Sequence, residues 1–408
     1  MKKFFPLFVL FLFLQQTFHV AQAATRTFHG ETMGTTWNVS IVTDAELPDS
    51  PTVQKAIEEA LRQVDYRMST WKDFSELSRI NQTEDGTEPI PLSPELDFVL
   101  KTALDVSAKT DGAYDITVGP LVNLWKFGPE ENVPEIPSDA AIAKARENVG
   151  WQNLQRVDGP ALKRTQPGLY LDLSSIAKGY GVDVTAKALH DLGITNYMVE
   201  VGGETRTCGK NGQGKPWVIG IEAPIPGVQQ LFGTVEPQDG ALATSGDYRN
   251  FRMEGDKRRS HIIDPRTGRP TEHSLVSVSV RASDCMTADA WATALLVLGP
   301  VEGVQTAKRE KISALFLTRE GETLVPTAVD FTWRRIPTEK GAEGSSRVAS
   351  RLTEIFIGVV LFLFFFFAIG MSQLLGRRKM RCSCGAARAM EQERAQIIRR
   401  IKNLDEER

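Results

Sequence analysis

The sequence predicts an α+β domain that is followed by one transmembrane helix. Segments with helical periodicity and segments with strand-like patterns follow one another without the regular order of a doubly wound sheet. The predicted domain spans residues 24–335, between an export signal and a polar, Gly/Ser-rich linker at residues 336–354. Its length fits one large domain or two smaller ones, and no internal repeat is evident.

Six segments repeat their apolar residues every three or four positions, which is typical of amphipathic helices. The predicted helices are Thr52–Ser69, Glu95–Thr110, Ser138–Val149, Gly179–Leu192, Thr287–Leu298 and Pro300–Glu310. Shorter runs favour strands. The predicted strands are Thr36–Val42, Leu169–Asp172, Tyr197–Val201, Trp217–Glu222, Gly240–Thr244, Leu275–Val280 and Ile312–Leu317.

The first 23 residues have the pattern of a secretory signal peptide. Two lysines precede an apolar run from Phe4 to Leu14, and Ala21-Gln22-Ala23 forms a small-residue cleavage site. A retained membrane anchor is the alternative. No cysteine follows the apolar run, which argues against a lipid anchor.

The second long apolar segment, Ile355–Leu375, predicts a transmembrane helix. It carries no charge and is long enough to span a bilayer, whereas a buried core helix would not normally be apolar around its whole circumference. Basic residues follow it, and the positive-inside rule therefore places the C-terminus in the cytoplasm and residues 24–350 outside it. These basic residues are Arg377, Arg378, Lys379 and Arg381.

Charge and cysteines divide along the chain. The tail at residues 376–408 has ten basic and five acidic residues. Because the whole chain has a net charge of −3, the rest of the chain is mildly acidic. Nothing in this charge distribution indicates nucleic acid binding. Cys208 and Cys285 belong to the exported part, where a disulfide is chemically possible. Cys382 and Cys384 lie in the tail, on the reducing side.

Two segments together are typical of a phosphate and metal site. Asp172 ends a predicted strand, and Ser175 is a small residue that follows it. Lys178 adds a positive charge directly before a predicted helix whose N-terminus favours an anion. Asp289 and Thr293 are four residues apart on one helical face, which is a common arrangement of Mg²⁺ ligands. Taken singly, these residues also fit a capped helix with a solvated lysine and an acidic helix start.

His261 is the candidate general base. It is one of five histidines and precedes Ile263 and a turn at Asp264-Pro265. A structural histidine beside an ordinary hairpin is the alternative.

Aromatic and small residues complete the candidate site. Trp71 could stack on a planar cofactor, and Tyr114 with Asp115 could face a ring system. Met33 lies at the start of the domain, and Ala113 precedes Tyr114.

Several co-linear motifs resemble the ApbE family of FAD:protein FMN transferases over roughly residues 25–335. The motifs are Thr32-Met-Gly-Thr35, Met68-Ser-Thr-Trp-Lys72 with Ser75-Glu76, Gly112-Ala-Tyr-Asp115 with Val118-Gly-Pro-Leu-Val122, Asp172-Leu-Ser-Ser-Ile-Ala-Lys-Gly179, Val201-Gly-Gly203, Thr244-Ser-Gly-Asp-Tyr248, His261-Ile-Ile-Asp-Pro-Arg-Thr-Gly268 and the helix from Ala288 to Leu295.

The resemblance implies a T-fold-like α+β domain that moves FMN from FAD onto a threonine hydroxyl of an acceptor protein and releases AMP. It implies that Ser175, Asp289 and Thr293 hold Mg²⁺, Ser175 through its backbone carbonyl or its side chain. In this family the position of Trp71 is often tyrosine. Either aromatic ring can stack on the flavin, but the change leaves the orientation of the flavin open. The residues implied to bind FAD are Met33, Trp71, Ala113, Tyr114, Asp115, Asp172, Lys178 and Ile263.

The resemblance also implies partners and a location. The expected acceptors are periplasmic subunits of Nqr- or Rnf-type redox complexes. The protein itself is expected to cross the inner membrane once and to have its catalytic domain in the periplasm. The tail resembles NqrM, a maturation factor in which cysteines after the span are linked to iron. Cys382 and Cys384 are therefore candidate iron ligands, although two cysteines cannot complete a four-sulfur site and a plain anchor is the alternative.

Three functions remain open from the residues alone. The first is the flavin transferase, and the second is an Mg²⁺-dependent FAD pyrophosphatase in which water replaces the threonine. The third is a non-enzymatic flavin-binding assembly factor, which needs neither His261 nor the Asp289 and Thr293 pair. The sequence does not reveal the acceptor, the oligomeric state or the disulfide status.

Overall fold

The computed structural model describes residues 24–43, 48–83, 88–129, 136–248, 251–254 and 257–336. The predicted signal peptide, transmembrane helix, cytoplasmic tail and nearly all of the linker lie outside these residues. In the described ranges, no helix is both long enough and apolar enough to cross a membrane.

The helices confirm the six predicted segments and add two short ones. The first three are α1 (Ser50–Met68), α2 (Glu76–Gln82) and α3 (Pro94–Lys109), and the others are α4 (Gly119–Leu124), α5 (Asp139–Arg146), α6 (Ala177–Asp191) and α7 (Cys285–Arg309). The two predicted C-terminal helices form α7, which breaks at Gly299 with a φ of 79°. The sequence analysis did not predict α2 and α4, which have seven and six residues and too few turns for a periodic pattern.

Local capping explains where the long helices begin. Asp49 accepts a hydrogen bond from the amide of Thr52, Ser93 from that of Leu96, and Asp284 from that of Thr287. The apolar stripe of α1 then recurs at helical spacing and is buried throughout, which fixes the face that packs against the sheet. Its members are Val53, Ile57, Leu61, Val64 and Met68.

The main sheet has eight antiparallel strands in the order β1-β2-β6-β7-β10-β15-β16-β17. These strands are β1 (Ala24–Thr32), β2 (Thr35–Thr43), β6 (Tyr197–Val201), β7 (Glu204–Cys208), β10 (Ala241–Gly246), β15 (Leu275–Ala282), β16 (Ser313–Glu320) and β17 (Thr323–Val329). In β2, buried Trp37, Val39 and Ile41 alternate with polar residues, so one face of the sheet is apolar. Helices α1, α6 and α7 pack on the sheet and bury its core.

A smaller sheet has the order β18-β9-β8, with β8 (Ile219–Glu222), β9 (Leu231–Val235) and β18 (Arg334–Arg335). Ile221 and Phe232 of this sheet pack against Leu242, Val276 and Leu315 of the main sheet in a separate apolar cluster. The remaining strands form short pairs or a triplet. They are β3 (Ile90–Pro91), β4 (Leu154–Val157), β5 (Ala161–Arg164), β11 (Phe251–Glu254), β12 (Lys257–Ser260), β13 (Ile263–Asp264) and β14 (Arg269–Pro270).

The strand predicted at residues 169–172 is wrong. This segment pairs with no strand in the described part of the chain, although Leu169 and Leu171 are fully buried as the pattern requires. The side chain of Asn81 donates to the carbonyl of Leu171 at 2.9 Å and accepts from its amide at 2.8 Å. An amide side chain therefore takes the hydrogen bonds that a neighbouring strand would otherwise supply.

Candidate functional site

One cavity of about 1540 Å³ collects every residue that the sequence analysis assigned to the site. Loops from distant parts of the chain and the N-terminal parts of α6 and α7 form its walls. The lining residues include Met33, Trp71, Ala113, Tyr114, Asp115, Asp172, Ser175, Lys178, His261, Ile263, Asp289 and Thr293. The prediction that these residues lie together is therefore met, whereas what each one binds stays a prediction.

The segment from Asp172 to the start of α6 is a tight loop, not a strand end. The amide of Asp172 donates to the carbonyl of Ile116 at 2.8 Å, and its carboxylate accepts from the amide of Ser174 at 2.8 Å. These bonds fix Asp172 at the cavity wall while Ile176, at the N-cap position, makes no side-chain capping bond. In the first turn of α6, the amide of Ala177 donates to the carbonyl of Leu173 at 2.8 Å and the amide of Gly179 donates to Asp289 of α7 at 3.0 Å.

Helices α6 and α7 meet at Gly179. The amide of Gly179 donates to Oδ2 of Asp289 at 3.0 Å. A Cβ at position 179 would lie 2.4 Å from the carbonyl oxygen of Cys285, which is closer than real contacts allow. The contact between these helices therefore requires glycine, and it positions Asp289 beside the start of α6.

Asp183 joins the same two helices further along α6. Its carboxylate accepts hydrogen bonds from the amides of Cys285 and Met286 at 2.9–3.0 Å and pairs with Arg206 of β7. Burial raises the pKa of this carboxyl group, and the two amides and Arg206 oppose that shift. The first turn of α7 is thus held from outside the helix by a residue to which the sequence analysis gave no role.

Lys178 lies between two buried carboxylates. Its Nζ is 3.2 Å from Oε1 of Glu204 and 3.5 Å from Oδ2 of Asp289. Burial alone would lower the pKa of Lys178, but the two carboxylates outweigh it and raise the pKa above its ordinary value. The ammonium group therefore stays charged at neutral pH and faces the cavity, as a phosphate-binding group must.

Glu204 is the site residue that the sequence analysis missed. It is 3% exposed and lines the cavity, and its Oε2 has no hydrogen-bond partner among the described residues. Burial raises its pKa to about 8, although Lys178 lowers it in part. The signal was present, because Glu204 directly follows the Gly202-Gly203 pair that the sequence analysis had quoted as a motif.

Asp289 and Thr293 lie on one face of α7, as their spacing predicts. The hydroxyl of Thr293 shares a 3.0 Å hydrogen bond with Ser245 of β10. In the described ranges, no group of three or more His, Cys, Asp or Glu side chains is arranged to hold a metal. A cation at this position would therefore rely on one carboxylate, neutral oxygens and a phosphate-bearing ligand, which suits Mg²⁺ better than zinc.

Tyr114 and Asp115 line the cavity in different ways. The hydroxyl of Ser175 donates to the phenol oxygen of Tyr114 at 3.1 Å, and burial raises the Tyr114 pKa well above its ordinary value. The carboxylate of Asp115 accepts from the amide and hydroxyl of Thr117 and from the amide of Trp151. Its side chain therefore holds the loop together.

The aromatic residues differ in exposure. Trp71 is 68% exposed at the cavity rim, which leaves its ring face open to a planar ligand. The ring of His261 lies edge-on to that of Phe127, with centroids 6.2 Å apart, and both line the cavity. Both cysteines of the described part, Cys208 and Cys285, are free thiols, and Cys285 is fully buried.

The fold and the cavity define a class of α+β proteins with a large cavity in which one lysine lies beside buried carboxylates. The model of the ApbE family matches residues 33–316, and the chain belongs to this family. The sequence resemblance to that family is thereby confirmed.

Curated relatives and solved structures support the same family assignment. An FAD:protein FMN transferase of Vibrio cholerae is 45% identical over 290 residues, which cover 71% of this chain and 86% of that one. The FAD:protein FMN transferase of Escherichia coli is 40% identical, with coverage of 72% and 84%. The structure of the flavin transferase ApbE from Vibrio cholerae superposes with a TM-score of 0.69 at 43% identity, covering 75% of this chain and 97% of that one.

Proposed function

We propose that this protein is an Mg²⁺-dependent FAD:protein FMN transferase that joins FMN to a threonine hydroxyl of an acceptor protein and releases AMP. The observation that carries the proposal is one cavity in which Lys178, Asp289 and His261 come together. At about 1540 Å³, this cavity exceeds the roughly 300–1,000 Å³ typical of small-ligand sites. It therefore has room for a dinucleotide and for part of an acceptor.

The bond changes are those of a phosphoryl transfer. The threonine oxygen forms a bond to the FMN phosphorus of FAD, and the bond from that phosphorus to the AMP oxygen breaks. His261 takes the threonine proton, and Lys178 neutralises negative charge on the pyrophosphate. FAD lies against Met33, Trp71, Ala113, Tyr114, Asp115, Asp172 and Ile263 in this proposal.

The residues at the cation position fit Mg²⁺. Oδ1 of Asp289 accepts no hydrogen bond from the described residues, so one carboxylate oxygen is available. The hydroxyl of Thr293 and an oxygen of Ser175 add neutral donors. When bound there, Mg²⁺ supplies charge neutralisation for the pyrophosphate and the departing AMP.

The location follows from segments outside the described residues. In this proposal the predicted signal peptide exports the domain, and the predicted transmembrane segment at residues 355–375 anchors it in the inner membrane with the tail in the cytoplasm. This places the catalytic domain in the periplasm, next to the threonine sites of Nqr- or Rnf-type subunits. Anchoring in the same membrane raises the effective concentration of enzyme and acceptor.

The tail is a candidate iron site. Cys382 and Cys384 provide two thiolates on the reducing side of the membrane, and a second chain would be needed to complete four. Iron that co-purifies anaerobically with the full-length protein, and is lost in the Cys382→Ser and Cys384→Ser double variant, supports this role. Full-length protein that contains no iron would support the alternative, in which the tail is a plain membrane anchor with free thiols.

The test of the main proposal uses the purified protein, FAD, Mg²⁺ and an exported Nqr- or Rnf-type acceptor domain, followed by intact-protein mass. A mass gain of one FMN on the acceptor, lost when its threonine is replaced, supports the transferase. FMN and AMP formed without a mass gain identify a pyrophosphatase. If FAD stays intact in the presence of competent acceptors, the protein is a flavin-binding assembly factor and not a transferase.

A further inference from the structure

Strand β8 is an edge strand beside the cavity. Within the part of the chain that the structure describes, β8 hydrogen-bonds to β9 and to no second strand. One edge of its backbone therefore carries amide and carbonyl groups that no described strand pairs with. An exposed edge of this kind pairs readily with an extended peptide.

The same strand forms part of the cavity wall. Val218, which directly precedes β8, and the β8 residues Ile219, Gly220 and Glu222 line the cavity that also contains His261 and Asp289. A chain lying along β8 would therefore border the cavity that contains the candidate catalytic residues. Met198 and Glu200 of β6 line the cavity as well and provide a second wall.

The side chains at and next to β8 differ between its two faces. Ile221 is buried against the main sheet, so the alternating residues Val218, Gly220 and Glu222 face away from that core. Val218 is 52% exposed, and Gly220 is exposed and has no side chain. A Cβ at Gly220 would lie 2.5 Å from Cδ2 of Leu231, so the side chain of Leu231 lies over this glycine and leaves little room for a larger residue.

We propose that the free edge of β8 is the docking site of the acceptor, whose threonine-bearing segment pairs with it as an added antiparallel or parallel strand. This inference rests on the proposed function, because a polypeptide substrate must bring its hydroxyl to FAD. The occupant is an extended segment of the acceptor. Backbone pairing accounts for binding without a deep side-chain pocket, and the continuity of β8 with the cavity accounts for the delivery of the hydroxyl.

The first test compares Val218→Arg with Val218→Thr in the full-length protein. The long side chain of arginine covers the edge, whereas threonine keeps the β-branched shape. We expect Val218→Arg to raise the KM for the acceptor domain at least about tenfold, with the KM for FAD and the melting temperature unchanged. Val218→Thr should match the wild type, and an unchanged acceptor KM in Val218→Arg would overturn the inference.

The second test asks whether the contact is made by the backbone. Hydrogen exchange is measured with the acceptor domain whose threonine is replaced by alanine, so that it binds without reacting. We expect amides of residues 218–222 to be protected by this domain and not by FAD alone. Protection by FAD alone would assign β8 to the FAD site instead, and unaltered exchange would exclude strand addition.

The two failures are distinguishable. A wild-type protein that transfers no FMN to any acceptor rejects the proposed function, and the docking site with it. A wild-type protein that transfers FMN while Val218→Arg and the exchange pattern show no effect rejects the docking site alone.

Discussion

The amide of Gly179 and the carboxylate of Asp289 form a 3.0 Å hydrogen bond that joins the two helices carrying the candidate chemistry. Gly179 follows Lys178 on α6, and Asp289 precedes Thr293 by one helical turn on α7. The bond therefore connects the segment that carries Lys178, the proposed phosphate-binding residue, to the proposed cation ligands on α7. It forms because the helix contact is too close for any side chain at position 179.

Gly179→Ala should abolish most activity. The added Cβ would lie 2.4 Å from the Cys285 carbonyl oxygen and 2.8 Å from the Asp289 Cβ, so α7 must shift away. Gly181→Ala is the control, because its Cβ would meet the flexible end of Met33 at 3.0 Å. Alanine should also favour the helix there by up to about 1 kcal/mol. Equal activity in both variants, measured as FMN transfer, would contradict this view of the helix contact.

Asp183→Asn should lower both stability and Mg²⁺ affinity. The variant weakens charged hydrogen bonds to the amides of Cys285 and Met286, at a cost of about 1–3 kcal/mol in the free energy of unfolding by urea. Displacement of the first turn of α7 should then weaken Mg²⁺ binding, measured by calorimetry.

The control for Asp183 is Ile57→Val, which removes one methyl group from a buried α1 residue. Its expected cost is about 0.5–1.5 kcal/mol, and it leaves the hydrogen bonds from Cys285 and Met286 to Asp183 in place. Mg²⁺ binding that falls equally in both variants would mean that lost stability, and not the position of α7, is responsible.

Glu204→Gln should change how stability depends on pH. Burial raises the pKa of Glu204 to about 8, so the native state holds this proton more tightly than the unfolded chain. Wild-type stability relative to the Gln variant should therefore fall as pH rises from about 4.5 to about 8, and level off above it. Melting temperatures at pH 5 and pH 8.5 test this, with the exposed Glu320→Gln as reference.

Helix positions and the members of the site could be predicted because they depend on local signals. Thr293 follows Asp289 by four residues, which places both on one face wherever a helix forms, and the break at Gly299 follows from the Gly-Pro pair. The motifs that the resemblance used also converge on a single cavity.

The missed features depend on contacts between distant segments. Residues 169–172 have an apolar pattern that a strand would show, but Asn81, about 90 positions away, takes the place of a neighbouring strand. Glu204 becomes a site residue because folding buries it beside Lys178, and Asp183 because α7 happens to begin at its carboxylate. Periodicity contains no information about such pairs.

His261→Ala should abolish FMN transfer while FAD still binds. The imidazole lines the cavity but is needed for the proton of the acceptor hydroxyl, not for the affinity of the flavin. FAD binding is measured by quenching of flavin fluorescence, and transfer by intact-protein mass. His190→Ala, at an exposed position near the end of α6, is the control. Full transfer by His261→Ala would reject the role of His261 as base.

Asp289→Ala should weaken the Mg²⁺ dependence and the activity together. Asp289 is 1% exposed and gives the cation position its carboxylate, while Lys178 would keep Glu204 as its partner in the variant. Calorimetric Mg²⁺ titration reports the loss directly, without relying on turnover. Asp191→Asn, which affects an exposed pair with Lys187, is the control. An Asp289→Ala protein with an unchanged Mg²⁺ titration would remove Asp289 from the metal site, because no other carboxylate is assigned there.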